Sequence, residues 1–102
     1  MIRGQILAVV SGSRHYRVLI ISNDEFNDND LVSPWGLTVQ RTNIQSELFV
    51  PLAAEDPLSG AVVDITRVMR IDRTAVRENY GFVSNATLNA VEYALRNFLN
   101  LP

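Results

Sequence analysis

The stretch "SRHYRVLIISNDEFN", residues 13–27, joins groups that can do chemistry to a segment that can hold them. Arg14, His15, Tyr16 and Arg17 precede four apolar residues, Val18 to Ile21, and Ser22, Asn23 and Asp24 follow. A guanidinium makes planar, two-pronged contact with phosphate or carboxylate and stays ionised. An imidazole gives and takes protons near neutrality. The stretch is either a strand with solvated ends or a strand that aims an arginine at a substrate. Taken alone, Arg17 is an arginine at a strand end, solvated or paired with Asp24 or Glu25. Taken alone, His15 is a half-exposed loop histidine.

All nine basic residues are arginine, and lysine is absent. A codon bias toward arginine explains that count as well as anion binding does. The net charge of -2 argues against a large nonspecific nucleic-acid surface. It leaves room for a local basic groove, because residues 31–46 hold one arginine, Arg41, and no acid. Cysteine is absent, which excludes disulfides, thiolate metal sites and a cysteine nucleophile. With one histidine and no metal-ligand spacing, neither a metal nor a cofactor is expected. No apolar run reaches membrane-spanning length, and the start, Met-Ile-Arg-Gly-Gln-Ile-Leu, lacks a signal-peptide layout. The expectation is one soluble, cytoplasmic domain over residues 1–102.

The elements that must position these groups are short. Gln5 to Val10 is mostly apolar and fits a strand buried on both faces. Ser11-Gly12-Ser13 is turn material, and Val18 to Ile21 is rich in β-branched residues. Residues 23–30, with three Asn, three Asp and a Glu, predict an exposed loop. Pro34 and Gly36 make residues 31–39 an edge strand or a bulged one. "LFVPL", 48–52, is another short strand, and "EDPLSG", 55–60, a turn. "AVVDITRVMRI", 61–71, carries apolar residues on both parities and predicts a central strand. Within it Arg67 and Arg70 fall on opposite parities and form no single patch, while Asp64 reads as a buried, hydrogen-bonded acid.

Asp72 can cap a helical turn over Arg73 to Arg77, whose two arginines then form a solvated face. Gly81 breaks the chain, and Ser84 caps a final helix. Leu88, Val91, Leu95 and Phe98 form one apolar stripe facing the sheet. Trp35 reads as a core aromatic, with stacking on a base or a partner as the alternative. Five or six short strands and one helix give a mainly β, α+β fold: a small antiparallel barrel with a helix packed on it.

The order of these pieces resembles the MazF/PemK family of bacterial toxins over nearly the whole chain. The pieces are Arg3-Gly4-Gln5-Ile6, "RVLIISNDEFN", "GLTVQ", "SGAVVDITRVMRIDRTAV" and "GFVSNATLNAVEYALRNFLNL". The resemblance implies an SH3-like barrel of five to seven strands with a C-terminal helix, shared by the CcdB, Kid and MazF toxins. It implies a homodimer that cleaves single-stranded RNA at short motifs without metal. The ribose 2′-hydroxyl is then the nucleophile, leaving a cyclic phosphate and a free 5′-hydroxyl. It further implies a MazE-like antitoxin that lays an extended acidic segment across the dimer groove.

Such a reaction needs a group to take the 2′-hydroxyl proton, a group to protonate the leaving 5′-oxygen, and donors for the phosphorane. The resemblance makes Arg17 and Thr38 the catalytic residues, with Thr38, which cannot act as a base unaided, positioning the phosphate. Anchored at Asn23-Asp24, however, the family's arginine column falls on Tyr16 and its proline column on Arg17. Strand side chains alternate, so one residue of offset changes the face. Either a bulge returns Arg17 to the site, or Tyr16 or His15 occupies it, Tyr16 stacking a base. Arg14, Gln40, Arg41, Thr42 and Asn43 are the expected RNA contacts, or else solvated residues of a rim and a hairpin loop. Two other readings use the same barrel: a CcdB-like toxin that poisons gyrase without cutting RNA, and an inactive barrel that only binds an antitoxin. The ending "NFLNLP" lacks the tryptophan-bearing tail of the CcdB family.

Overall fold

Gly12 takes φ +63 and, with Ser13, turns β1 (Gln5–Ser11) directly into β2 (Arg14–Ile20). A two-residue turn with glycine first matches the twist of the strands it joins. The pairing is unbroken from Ser11 opposite Arg14 to Ile6 opposite Leu19. Arg14 to Arg17 therefore belong to the strand itself, and His15 is not a loop residue. These features come from a computed structural model that describes residues 1–102.

After β2 come a single helical turn, α1 (Asp24–Asn27), then β3 (Trp35–Gln40), β4 (Phe49–Pro51) and β5 (Val62–Arg70). A 3-10 turn at Arg73–Ala75 leads into β6 (Val76–Phe82), and α2 (Asn85–Leu99) ends the fold. The six strands form one antiparallel sheet in the order β4-β5-β3-β2-β1-β6. The fold is mainly β with a C-terminal helix, as expected. No helix is long and apolar enough to cross a membrane.

Alternation along β1, β2 and β3 divides the apolar residues between two faces. Ile6, Leu19, Leu37, Val63 and Ile65 form the larger cluster with Val91 of α2. Leu7, Val9, Val18, Ile20 and Ile71 form the smaller one on the opposite face. Burying such side chains contributes about 1.5–3 kcal/mol each, so a one-residue slip of β2 would be very costly.

Several expectations change. Residues 23–30 are not simply an exposed loop, because Asn27 is buried in a polar corner. Its Nδ2 donates to the Ser22 carbonyl at 2.9 Å and to Asp24 Oδ1 at 3.2 Å, and the Trp35 N–H donates to Ser22 Oγ at 3.0 Å. Short polar side chains fold the backbone back on itself in this way. Of the two readings of residues 31–39 the edge fails, because β3 lies between β2 and β5, while the bulge is found in its pairing with β5. Pro34 sits just before the strand, where its missing N–H costs no ladder bond. Gly36 lets β2 come close, since a Cβ there would meet Val18 Cβ at 3.0 Å. Trp35 is about half exposed rather than a core aromatic.

The Asp72 cap is present, its carboxylate accepting the Thr74 N–H at 2.9 Å, but the turn stops at Ala75 and Arg77 lies on β6. Gly81 does not end β6; its φ of +100 accommodates a bulge inside it. Ser84 caps α2, accepting the Thr87 N–H at 3.2 Å. Val91 is fully buried and Leu88 and Leu95 partly so, but Phe98 is about half exposed, lining a shallow depression with Leu48. Asp56, in the 55–60 turn, accepts the N–H groups of Ala53 and Ser84, each at 2.7 Å, and the Thr87 hydroxyl. It ties that turn to the start of α2.

Candidate functional site

A cleft of about 640 Å³ opens at the rim where Arg14 to Arg17 outrun the apolar part of β2. His15, Tyr16 and Arg17 of β2 and Thr38 and Gln40 of β3 line it, as do Arg67 of β5 and Arg77, Glu78 and Tyr80 of β6. Ala8 and Val39 complete it. Three guanidiniums and an imidazole face one carboxylate, so the cleft suits an anion. Two phenol rings beside them suit a ligand that also carries flat bases.

Arg67, Arg77 and Tyr80 arrive through bulges. In the β1–β6 pair, Ile6 opposes Gly81 and Leu7 opposes Asn79, which leaves Tyr80 as an extra residue. Ala8 opposes Glu78 and Val9 opposes Val76, which leaves Arg77 extra as well. In the β3–β5 pair, Leu37 opposes Val68 and Val39 opposes Val63. Thr38 alone therefore faces the four residues Asp64 to Arg67. A bulge re-aims side chains that strict alternation would place elsewhere. The Asp64 carboxylate organises this bulge, accepting the Thr66 N–H at 3.0 Å and its hydroxyl at 2.7 Å. Asp64 is buried and hydrogen-bonded, and it also holds Gln40, whose Nε2 lies 3.4 Å away.

β2 itself has no bulge. Arg17 opposes Ala8 on one side and Val39 on the other, so these three share a face. Val18 opposes Thr38, and Tyr16 precedes Val18 by two, so Tyr16 and Thr38 share the other face. The packing agrees: Tyr16 rests against the smaller cluster, whereas the Arg17 guanidinium lies 5.8 Å from the ring centroid of Tyr80, which packs on the larger one. Both Arg17 and Thr38 line the cleft, but from opposite parities of the β2–β3 pair.

Thr38 is 4% exposed, and its Oγ1 is the one buried side-chain oxygen without a hydrogen-bond partner. Leaving a hydroxyl so costs about 1–3 kcal/mol. Of the other expected contacts, Arg14 is exposed at the start of β2 and does not line the cleft. Thr42 and Asn43 line a separate depression with Ile44 and Phe49, where Thr42 Oγ1 accepts the Ile44 N–H at 3.1 Å. Arg41 is exposed beside Gly60. Arg70 lies at another depression, away from Arg67, and Arg73 donates to the carbonyls of Asn29 and Val32 at 3.0 Å.

Sequence reasoning missed Arg67, Arg77, Glu78 and Tyr80. Two signals were present. A glycine inside a strand, as in Asn79-Tyr80-Gly81, marks a bulge. Asp64-Ile65-Thr66 offers an acid that can bond the backbone two residues on.

The model of the PemK-like, MazF-like toxin of type II toxin–antitoxin systems matches residues 4–99. The chain belongs to that family. No curated protein matches it. An endoribonuclease solved in complex with its cognate antitoxin, from a mycobacterial species, superposes with a TM-score of 0.90 at 25% identity, covering 100% of this chain and 97% of that one. A second mycobacterial endoribonuclease gives a TM-score of 0.87 at 24% identity, covering 100% and 93%. A MazE–MazF complex from Deinococcus radiodurans gives 0.84 at 18% identity, covering 100% and 97%. The last two speak for the fold alone.

In this chain the Arg3-Gly4 and Asn23-Asp24 pieces are engaged in structural contacts. Asp24 accepts the Arg3 N–H at 2.7 Å, the Arg3 Nε donates to the Ile21 carbonyl at 3.0 Å, and its guanidinium pairs with Glu92 of α2. Together they close the end of the sheet opposite the cleft.

Proposed function

We propose that this toxin is a metal-independent, sequence-specific endoribonuclease that cuts single-stranded RNA. The cleft of Arg17, Arg67 and Arg77, beside His15 and two tyrosines, supports this reading. Guanidiniums hold the scissile phosphate and the charge of the phosphorane. Thr38 positions that phosphate, and Tyr16 and Tyr80 stack neighbouring bases. The 2′-oxygen attacks phosphorus, the P–O5′ bond breaks, and a 2′,3′-cyclic phosphate and a 5′-hydroxyl result. Gln40 is the member of the polar 38–43 segment best placed to read a base edge; Arg41, Thr42 and Asn43 extend the contact along the strand.

The same cationic cleft suits an acidic, extended antitoxin segment, and a cytoplasmic homodimer would place two such clefts in one groove. Purified protein incubated with a long RNA in EDTA is expected to yield fragments with cyclic-phosphate ends. Intact RNA would overturn the reading. One observation favours a second reading, an inactive barrel that binds only an antitoxin: Tyr16, not Arg17, shares the face of Thr38. Cleavage that persists unchanged in both Arg17→Ala and Thr38→Ala would remove these residues from the site.

A further inference from the structure

Glu78 is the one acid of the cleft, and its place in the register is specific. Ala8 opposes Arg17 in β2 and Glu78 in β6, so the three lie in one cross-strand row with the smallest side chain at the centre. Two strand spacings, about 10 Å, separate the backbones of Glu78 and Arg17. The alanine leaves open the space between a carboxylate and a guanidinium. The Glu78 carboxylate makes no ion pair across it, since the chain's one ion pair is Arg3–Glu92. Leu7 and Val9, on either side of Ala8, point to the opposite face and are buried there.

We propose that Glu78 takes the proton of the ribose 2′-hydroxyl while Arg17 holds the phosphate on the other side of Ala8. This rests on the ribonuclease reading. The 2′ O–H bond breaks, with its proton passing to Glu78 and its electron pair forming the new O–P bond. The P–O5′ bond then breaks, and the departing oxygen takes a proton from the His15 imidazolium. A carboxylate and an imidazole serve as base and acid, and the arginines remain cations throughout. The titratable and charged groups facing Glu78 across the cleft are His15, Tyr16 and Arg17 of β2, Arg67 of β5, and Arg77 and Tyr80 of β6.

The test compares the full-length protein with Glu78→Gln and Glu78→Asp on an oligoribonucleotide spanning a mapped cut site. Binding is read in parallel with the 2′-O-methyl form of that oligonucleotide. Glu78→Gln is expected to lower kcat by about a hundredfold or more, flatten the acid limb of the pH–rate profile, and leave binding of the 2′-O-methyl oligonucleotide unchanged. Glu78→Asp is expected to retain part of the rate and the acid limb. Wild-type cleavage alongside a Glu78→Gln rate within about threefold and an unchanged acid limb overturns this assignment alone. RNA left intact by the wild type overturns the ribonuclease reading, and this one with it.

Discussion

Two arginines, one just before β1 and one in β2, differ in what holds them. Arg3 is engaged by the fold: its Nε bonds the Ile21 carbonyl and its guanidinium pairs with Glu92. Arg17 makes no such bond and lies against the Tyr80 ring in an open cleft. A guanidinium carries five N–H donors. Where the fold uses them, the residue is a strut. Where they stay free beside an aromatic ring, they are available to a phosphate.

The widest separation of the two arginines comes from Arg17→Ala, which is expected to lower RNA cleavage by about 100- to 1,000-fold. Its unfolding free energy from urea denaturation should stay within about 0.5 kcal/mol of wild type, as for other exposed positions. A large loss of stability would make Arg17 a strut like Arg3.

Asp56 tests the structural side. Its burial pushes the carboxyl up, but the Thr87 hydroxyl and the N–H groups of Ser84 and Ala53 outweigh burial and hold it below the usual carboxylate value. Asp56→Asn should cost about 1.5–3 kcal/mol at neutral pH by urea denaturation. Because the folded value lies below the unfolded one, the contribution is full above about pH 4 and fades as pH falls through the folded value. The wild-type and variant stabilities should therefore converge in acid. The Thr74 hydroxyl and N–H also pull Asp72 down, so part of the wild-type acid dependence should persist in the variant.

Arg3→Met is expected to cost about 1 kcal/mol, since its ion pair and its bond to the Ile21 carbonyl are both only partly buried. Specific cleavage by the folded fraction should not change. The smaller loss of cleavage is that of Thr38→Val, which removes an unpartnered hydroxyl at constant shape. It should leave stability within about 1 kcal/mol, or raise it, while lowering cleavage about tenfold or more. A destabilised Thr38→Val with full activity would move Thr38 to the structural side.

Much of the frame was legible. Ser84 was readable as a cap because a serine before an apolar stripe has a local reason to be there. β2 was readable from Val18 to Ile21, and Asn23-Asp24 anchored the family register. The extent of the stripe was not, because Phe98 keeps the helical spacing yet is left about half exposed beside Leu48, which only the packing decides. Nor was the exposure of Trp35, which depends on what the strands beside it leave uncovered. For the site, Arg17, Thr38, His15, Tyr16 and Gln40 were named in advance and all line the cleft, while Arg14, Arg41, Thr42 and Asn43 lie outside it.

By itself the sequence determined the strand-rich frame, the capped final helix and the family. These follow from local spacing, turn chemistry and order along the chain. Only the tertiary structure decided which arginines meet. Arg67, Arg77 and Tyr80 reach the cleft because bulges in β5 and β6 break the two-residue alternation, and a bulge exists only relative to the partner strand. The same pairing, unbroken in β2, sets Tyr16 beside Thr38 and turns Arg17 toward Ala8, Tyr80 and the row that ends in Glu78.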